Sequence, residues 1–318
     1  MRRIGLIVAL LVSTAAHADV WRQYSFKPMG TQAYVELMAK DDATADKAIA
    51  VVEAEFARVN ALMSPWVATS ELSLLNRDAA KRPVTVSKEM WDLLDRSRQM
   101  SELSGGAFDI TFASVGFKFD YREHKKPTAT ELATQKQWIN YRFVELLPKQ
   151  QVKFSKPAVK IDLGGIAKGY TVERSVQLLK QLGIQHALVS AGGDTRLLGD
   201  KNGRPWLVAI KHPRAEERHV AELPLVDQAI STSGDYERYF IEDGKRYHHI
   251  LDPKTGQSPT ELMSVSVIGP DATQTDALST TLFVLGLDKG MALIEQIPDY
   301  EAVFIRQDRQ MFFSSGLQ

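Results

Sequence analysis

The sequence predicts an α+β fold in one large domain of mixed sheets with flanking helices. Three observations predict it. Strand-like and helix-like segments interleave irregularly, without a strict βαβ rhythm. No internal repeat, low-complexity tract or long linker divides the chain. At 318 residues and 44% apolar composition, the chain can bury a sizeable core without staples.

The elements follow in order. Residues 1–18 read as an export signal: Arg2 and Arg3, an apolar run from Ile4 to Val12, then Ala16-His17-Ala18 as a small-x-small cleavage site. Cleavage after Ala18 leaves 19–318 as the working domain, exported and soluble. No later stretch reads as apolar enough to span a membrane. With no cysteine to carry a lipid, the expected location is the periplasm.

Val20 to Met38 alternates around Lys27-Pro28-Met29-Gly30-Thr31 and predicts two strands joined by a turn. Ala45, Ile49, Val52, Phe56 and Val59 fall at helical spacing within Asp41 to Leu62. A short helix is expected at Glu71 to Leu75, and a longer one at Ser87 to Ser104 with Ser87 as N-cap and Gly105-Gly106 as stop. Lys118 to Lys136 reads as a solvated surface excursion. Val159 to Leu163 reads as a strand and Ala167 to Leu182 as a helix ended by Gly183. Further strands are expected at His186 to Ser190, Trp206 to His212, Ala229 to Ser233, Arg238 to Glu242, Tyr247 to Leu251 and Met263 to Gly269. Helices at Asp276 to Leu285 and Met291 to Gln296 precede a hairpin of Glu301 to Arg306 and Met311 to Ser314.

Composition excludes several classes of function. Thirty-nine basic residues balance thirty-nine acidic ones, so nothing favours nucleic acid or an anionic membrane. The absence of cysteine excludes disulfides, thiolate metal sites and thiol nucleophiles.

Five constellations can carry chemistry. Ile161-Asp162-Leu163-Gly164-Gly165-Ile166-Ala167-Lys168-Gly169-Tyr170 places glycines between a strand and a helix start, where backbone can approach a phosphate. Its spacing fits neither dinucleotide nor P-loop fingerprints, and a tight structural turn explains it equally well. Asp276 and Thr280, four apart on a helix, share one face as hard oxygen ligands suited to Mg²⁺. A carboxylate favouring the helix dipole is the simpler reading of Asp276. His248 and His249 on one strand face opposite ways, so they are unsuited to share a metal and no more than one faces a site, where a neutral imidazole could act as a general base; an exposed or structurally hydrogen-bonded histidine is the simpler reading. Asp194, in Ser190-Ala191-Gly192-Gly193-Asp194, reads as a turn residue or as an acid lining the same site. Met29-Gly30-Thr31, Met63-Ser64-Pro65-Trp66 and Gly105-Gly106-Ala107-Phe108-Asp109 complete the set, with Trp66 able to stack on a planar ring or to pack in the core.

Together and in this order, these blocks resemble the ApbE family, the FAD:protein FMN transferases. Ser231-Thr232-Ser233-Gly234, Tyr247 to Gly256 and Leu282-Phe283-Val284-Leu285-Gly286 extend the match over nearly the whole chain after residue 18. The resemblance implies transfer of FMN from FAD to a threonine hydroxyl of an exported acceptor, with release of AMP. It implies FAD in a surface groove and Mg²⁺ at the pyrophosphate, with Mn²⁺ able to replace it. By matching positions, Asp276, Thr280 and the backbone oxygen of Ala167 would hold the metal. Met29, Trp66, Ala107, Phe108, Asp109, Gly164, Tyr170 and Ile250 would lie along the flavin nucleotide, and His249 would activate the acceptor hydroxyl. The acceptor would be an exported domain, such as one from a membrane redox complex. Two departures are Trp66, where many relatives carry tyrosine, and Ser190, where many carry asparagine. An FAD pyrophosphatase, with water as the nucleophile, and a non-catalytic FAD carrier are the alternatives.

Overall fold

The computed structural model describes residues 19–318; the export signal read over 1–18 lies outside the described residues. The strands are β1 (Val20–Phe26), β2 (Ala33–Ala39), β3 (Val84–Thr85), β4 (Val144–Leu147), β5 (Gln151–Phe154), β6 (Ala187–Ala191), β7 (Asp194–Leu198) and β8 (Trp206–His212). They continue with β9 (Ala215–Leu225), β10 (Ala229–Gly234), β11 (Tyr239–Glu242), β12 (Lys245–His248), β13 (Leu262–Gly269), β14 (Glu301–Arg306) and β15 (Met311–Phe313). The helices are α1 (Asp42–Met63), α2 (Glu71–Asp78), α3 (Lys88–Leu103), α4 (Ala113–Gly116), α5 (Ala129–Gln135), α6 (Ala167–Gln181) and α7 (Ala272–Ile294).

An eight-stranded antiparallel sheet in the order β1-β2-β6-β7-β10-β13-β14-β15 forms the centre. Strand alternation sends side chains to two covered faces. On β14, Ala302 and Phe304 join the core under α7, while Val303 and Ile305 pack with Trp206, Ile210 and Leu225 of the β8–β9 hairpin. Helices α1 and α6 cover β2 and β6, where Val35, Leu37, Val52, Phe56, Val172 and Val189 are buried together.

Local signals set the helix starts. Asp41, Ser70 and Ser87 cap α1, α2 and α3 by accepting from Thr44, Ser73 and Met90 backbone N–H groups. Helix α7 begins earlier than its pattern suggested, because Asp271 caps it by accepting from Gln274 N–H. Asp276 therefore sits inside the helix rather than opening it. The two expected helices are one element broken at Gly286, whose backbone (φ 78°, ψ −176°) is open to glycine alone.

Two sequence expectations are corrected here. The Ala272–Ile294 stretch is long and apolar enough to span a membrane, with a mean hydropathy of 1.4. Its apolarity serves the core: Leu278, Leu282 and Phe283 are buried against the sheet. Val159 to Leu163 is extended but joins no sheet. Its backbone is satisfied instead by side chains and a turn. Asn76 Oδ1 accepts from Ile161 N–H (2.7 Å) and Asn76 Nδ2 donates to Ile161 O (2.8 Å). Ser114 Oγ accepts from Lys160 N–H (3.0 Å), and Ile110 O accepts from Asp162 N–H (3.0 Å). Periodicity reported the burial of Val159, Ile161 and Leu163 correctly but cannot distinguish these partners from a ladder.

Helices α6 and α7 meet at Gly169. A Cβ there would lie 2.1 Å from the Ala272 carbonyl oxygen and 2.5 Å from Asp276 Cβ. Gly169→Ala must push two packed helices apart, and we expect it to cost about 3 kcal/mol or more in urea unfolding. Unchanged stability would show that the crossing is loose.

Candidate active site

A cavity of about 280 Å³ opens where the central sheet, the α6 start and the second turn of α7 converge. Its lining is rich in glycine (Gly30, Gly164, Gly165, Gly192, Gly193 and Gly234) and in aromatic rings (Phe108, Phe112, Phe117, Phe119, Tyr121 and Trp66). Trp66 is 81% exposed and meets Phe117 edge-on at 5.9 Å, so it is a rim residue rather than a core one.

The glycines do specific work. Gly193 lies so close to β10 that a Cβ would fall 2.3 Å from Thr232 O. Gly165 faces Thr280, with a Cβ position 3.3 Å from its hydroxyl. Gly164 N–H donates to Asp162 Oδ1 at 2.6 Å, which fixes the turn. Asp162 is half-buried, and its desolvation raises its pKa.

A charged cluster forms the floor. Lys168 Nζ lies 2.5 Å from Asp194 Oδ2 and 3.9 Å from Asp276 Oδ1. Asp276 Oδ2 also accepts from Gly169 N–H at 2.8 Å. Burial and the neighbouring Asp194 carboxylate push Asp276 above its ordinary value, against the pull of Lys168. Burial alone would lower Lys168, but the two carboxylates hold it above the usual lysine range. One ammonium cannot hold both carboxylates charged, which is why Asp276 is pushed up, and a further cation would favour its charged form.

Hydroxyls align this floor. Ser233 Oγ lies 2.9 Å from Ser279 Oγ and 3.2 Å from Thr280 Oγ1, and Ser231 Oγ lies 2.8 Å from Thr275 Oγ1. Successive inward hydroxyls of β10 thus stitch the strand to α7 and hold Thr280 toward the cavity.

The strand expected over Tyr247 to Leu251 is β12, which ends at His248; His249 follows in a bend, and the two histidines separate there. His248 is buried, with Nε2 2.9 Å from Pro259 O and its ring edge-on to Phe283. His249 lines the cavity, and its N–H donates to Arg238 O at 3.1 Å. Its buried Nδ1 has no hydrogen-bond partner among the described residues. Burial, then the positive charges of Arg238 and Lys168 and the neighbouring His248, hold its imidazole well below the ordinary value.

Of the residues singled out from sequence, Trp66, Ala107, Phe108, Asp109, Gly164, His249, Ile250, Asp276 and Thr280 line the cavity. Asp109 does so while organising its own loop: Oδ1 accepts from Thr111 and Oδ2 from Tyr141 N–H (2.7 Å). Met29, Ala167 and Tyr170 stand outside the lining. Met29 Sδ receives the Thr171 hydroxyl at 3.8 Å, and Ala167 O accepts that hydroxyl at 2.6 Å. Tyr170 reaches away, its hydroxyl 2.5 Å from Glu89 Oε1. Sequence reading did not single out Lys168 or Arg238 as site residues. Lys168 stood inside a quoted block, between the glycines, and the two facing carboxylates were the missing signal.

Comparison with known proteins fits this geometry. A model described as the ApbE family matches residues 29–304. The chain belongs to the ApbE family. An FAD:protein FMN transferase of Klebsiella pneumoniae is 32% identical over 297 residues, covering 92% of this chain and 91% of the relative. An FAD:protein FMN transferase of Haemophilus influenzae is 35% identical over 311 residues, covering 92% and 89%. Among solved structures, the ApbE protein of Thermotoga maritima aligns with a TM-score of 0.87 at 30% identity, covering 94% of this chain and 98% of that one. The flavin transferase ApbE of Vibrio cholerae aligns at 0.83 and 28% identity, with the same coverage. The α+β architecture is that of the ApbE structures.

Two outcomes test the site's electrostatics. In the ligand-free protein, the His249 imidazole stays neutral from pH 8 to about 5.5, because its lowered pKa keeps the proton off until more acid conditions. An NMR titration midpoint near 6.5 would contradict this. Lys168→Met strands two buried carboxylates and lowers stability by about 3 kcal/mol, read as a shift in the urea midpoint.

Proposed function

We propose that this chain is an FAD:protein FMN transferase that moves FMN from FAD to a threonine hydroxyl of an exported acceptor, releasing AMP. The observation that carries the reading is the convergence of His249, Asp276 and Thr280 on one cavity, in a chain whose relatives bear that name. The aromatic lining residues and Trp66 suit a planar ring system, and the lining glycines suit close approach of a pyrophosphate.

The chemistry balances on these residues. The threonine oxygen forms a bond to the FMN-side phosphorus as the bond to the bridging oxygen breaks. AMP leaves with that oxygen. The threonine proton passes to the His249 imidazole, which is neutral and ready to accept it. Such general-base assistance contributes typically ~10²–10⁴-fold in rate. A pyrophosphate beside His249 brings negative charge that offsets Arg238 and Lys168, and so raises the basicity of the imidazole when substrate is present.

The donor set suits a divalent cation. Asp276 Oδ1 has only a distant ammonium at 3.9 Å, Thr280 lines the same cavity one helical turn on, and both carry hard oxygens. Asp276 and Thr280 would hold Mg²⁺ or Mn²⁺, with the Ala167 carbonyl, already bonded to Thr171, as a further oxygen. When bound, such a cation neutralises charge on the pyrophosphate. We place the protein in the periplasm, on the strength of the export signal read at residues 1–18.

The test mixes the protein with FAD, Mg²⁺ and a candidate acceptor domain bearing an exposed threonine. Intact-mass spectrometry should show the acceptor gaining one esterified FMN, with AMP released in step. His249→Ala should abolish the gain while FAD still binds. Free FMN and AMP with an unmodified acceptor would mark a pyrophosphatase, and tight FAD binding without turnover on a valid acceptor would mark a carrier.

A further inference from the structure

The segment from Asp235 to Arg246 holds two arginines whose neighbours account for only one. Asp235, buried, receives Arg214 through both oxygens at 2.6 Å. Arg246 Nε stands 3.8 Å from the same carboxylate. Arg238 is placed differently. It lines the cavity, and among the described residues its guanidinium makes no hydrogen bond and no ion pair within 4 Å. Glu237 lines the cavity beside it without pairing to it.

Its position is fixed rather than incidental. The β11–β12 register pairs Tyr239 with His248, so Arg238 stands opposite His249, and its carbonyl takes the His249 N–H at 3.1 Å. The other cavity cation, Lys168, is already engaged by Asp194 and Asp276. The Arg238 charge is felt across the cavity: it opposes protonation of both His249 and Lys168, and it favours the charged form of Asp162. An exposed guanidinium on the cavity lining, without a carboxylate partner, is open to an anion from outside the chain.

We propose that Arg238 is the phosphate-binding arm of this cavity, engaging the phosphoryl oxygens of a flavin dinucleotide beside His249. The proposal rests on the transferase reading, since it needs a dinucleotide substrate. It gives the cavity two cations of different duty. Lys168 balances the carboxylate floor, while Arg238 holds the substrate's charge and orients the phosphorus toward the histidine.

The experiment titrates wild type, Arg238→Gln and Arg238→Lys with FAD and with riboflavin, which lacks phosphate, following flavin fluorescence at 50 and 500 mM salt. Arg238→Gln should weaken FAD binding by about 10–100-fold at low salt, the range for a lost charged hydrogen bond, and leave riboflavin within about 2-fold. It should also flatten the salt dependence of FAD binding, because the screened charge is gone. Arg238→Lys should fall between, keeping the charge but losing the two-pronged fork. Unchanged FAD affinity, or equal losses for FAD and riboflavin at both salts, would overturn the role of Arg238. If wild type itself bound no FAD, the transferase reading would fail, and the arginine's role with it. Wild-type transfer with an unaffected glutamine variant would remove the arginine alone.

Discussion

The site depends on one close contact, the crossing of α6 and α7 at Gly169. There the absence of a side chain lets the Gly169 N–H reach Asp276 Oδ2 at 2.8 Å. That bond orients a buried carboxylate, and the same approach brings Lys168, one residue earlier, over Asp194 and Asp276. A wider crossing would leave Asp276 facing apolar helix and Lys168 without its partners. The last glycine of the Asp162 to Tyr170 block is therefore a packing device whose product is a charge arrangement.

Around that contact, polar groups are placed by structure already needed for folding. The β10 hydroxyls that fasten the strand to α7 also hold Thr280, and the loop that Asp109 ties together also forms a wall. The end of one short hairpin buries His248 against Phe283, and the bend just after it brings His249 to the cavity. Few residues of the cavity lack a structural duty of this kind; Trp66, Arg238 and the His249 ring are the clearest.

Much of this was legible in the sequence. Helical spacing gave α1 and α3 to within a residue or two, because their caps are Asp41 and Ser87 and their apolar stripes are regular. The β8–β9 partnership was half seen: Trp206 to His212 alternates, but Ala215 to Leu225 carries Glu216, Glu217, Arg218 and His219 in a row and hides its period. The β4–β5 pair was missed because its strands are four residues each. Asp276 and the histidine pair were singled out by residue type and spacing, and motif resemblance then favoured a site role for Asp276 and His249. Spacing alone did not separate a ligand from a helix-dipole partner, since that difference lies in burial. Tyr170 and Met29 sit in matching blocks yet face Glu89 and Thr171, which linear position does not reveal.

The sheet order carries a further consequence. Strand β2 pairs with β6, placing Ala33 beside Ala191, and β6 reaches β13 and β14 through β7 and β10. Almost every wall of the cavity is joined across a long sequence separation. Such topologies pay loop-closure entropy before contacts repay it, so they fold slowly and expose sheet edges meanwhile. A nascent chain lacking β13, α7 and β14 would have neither Asp276 nor the strand that β10 needs. Flavin binding thus reports on completion of the whole polypeptide, and a flavin-competent molecule is one whose early and late strands already share a single sheet.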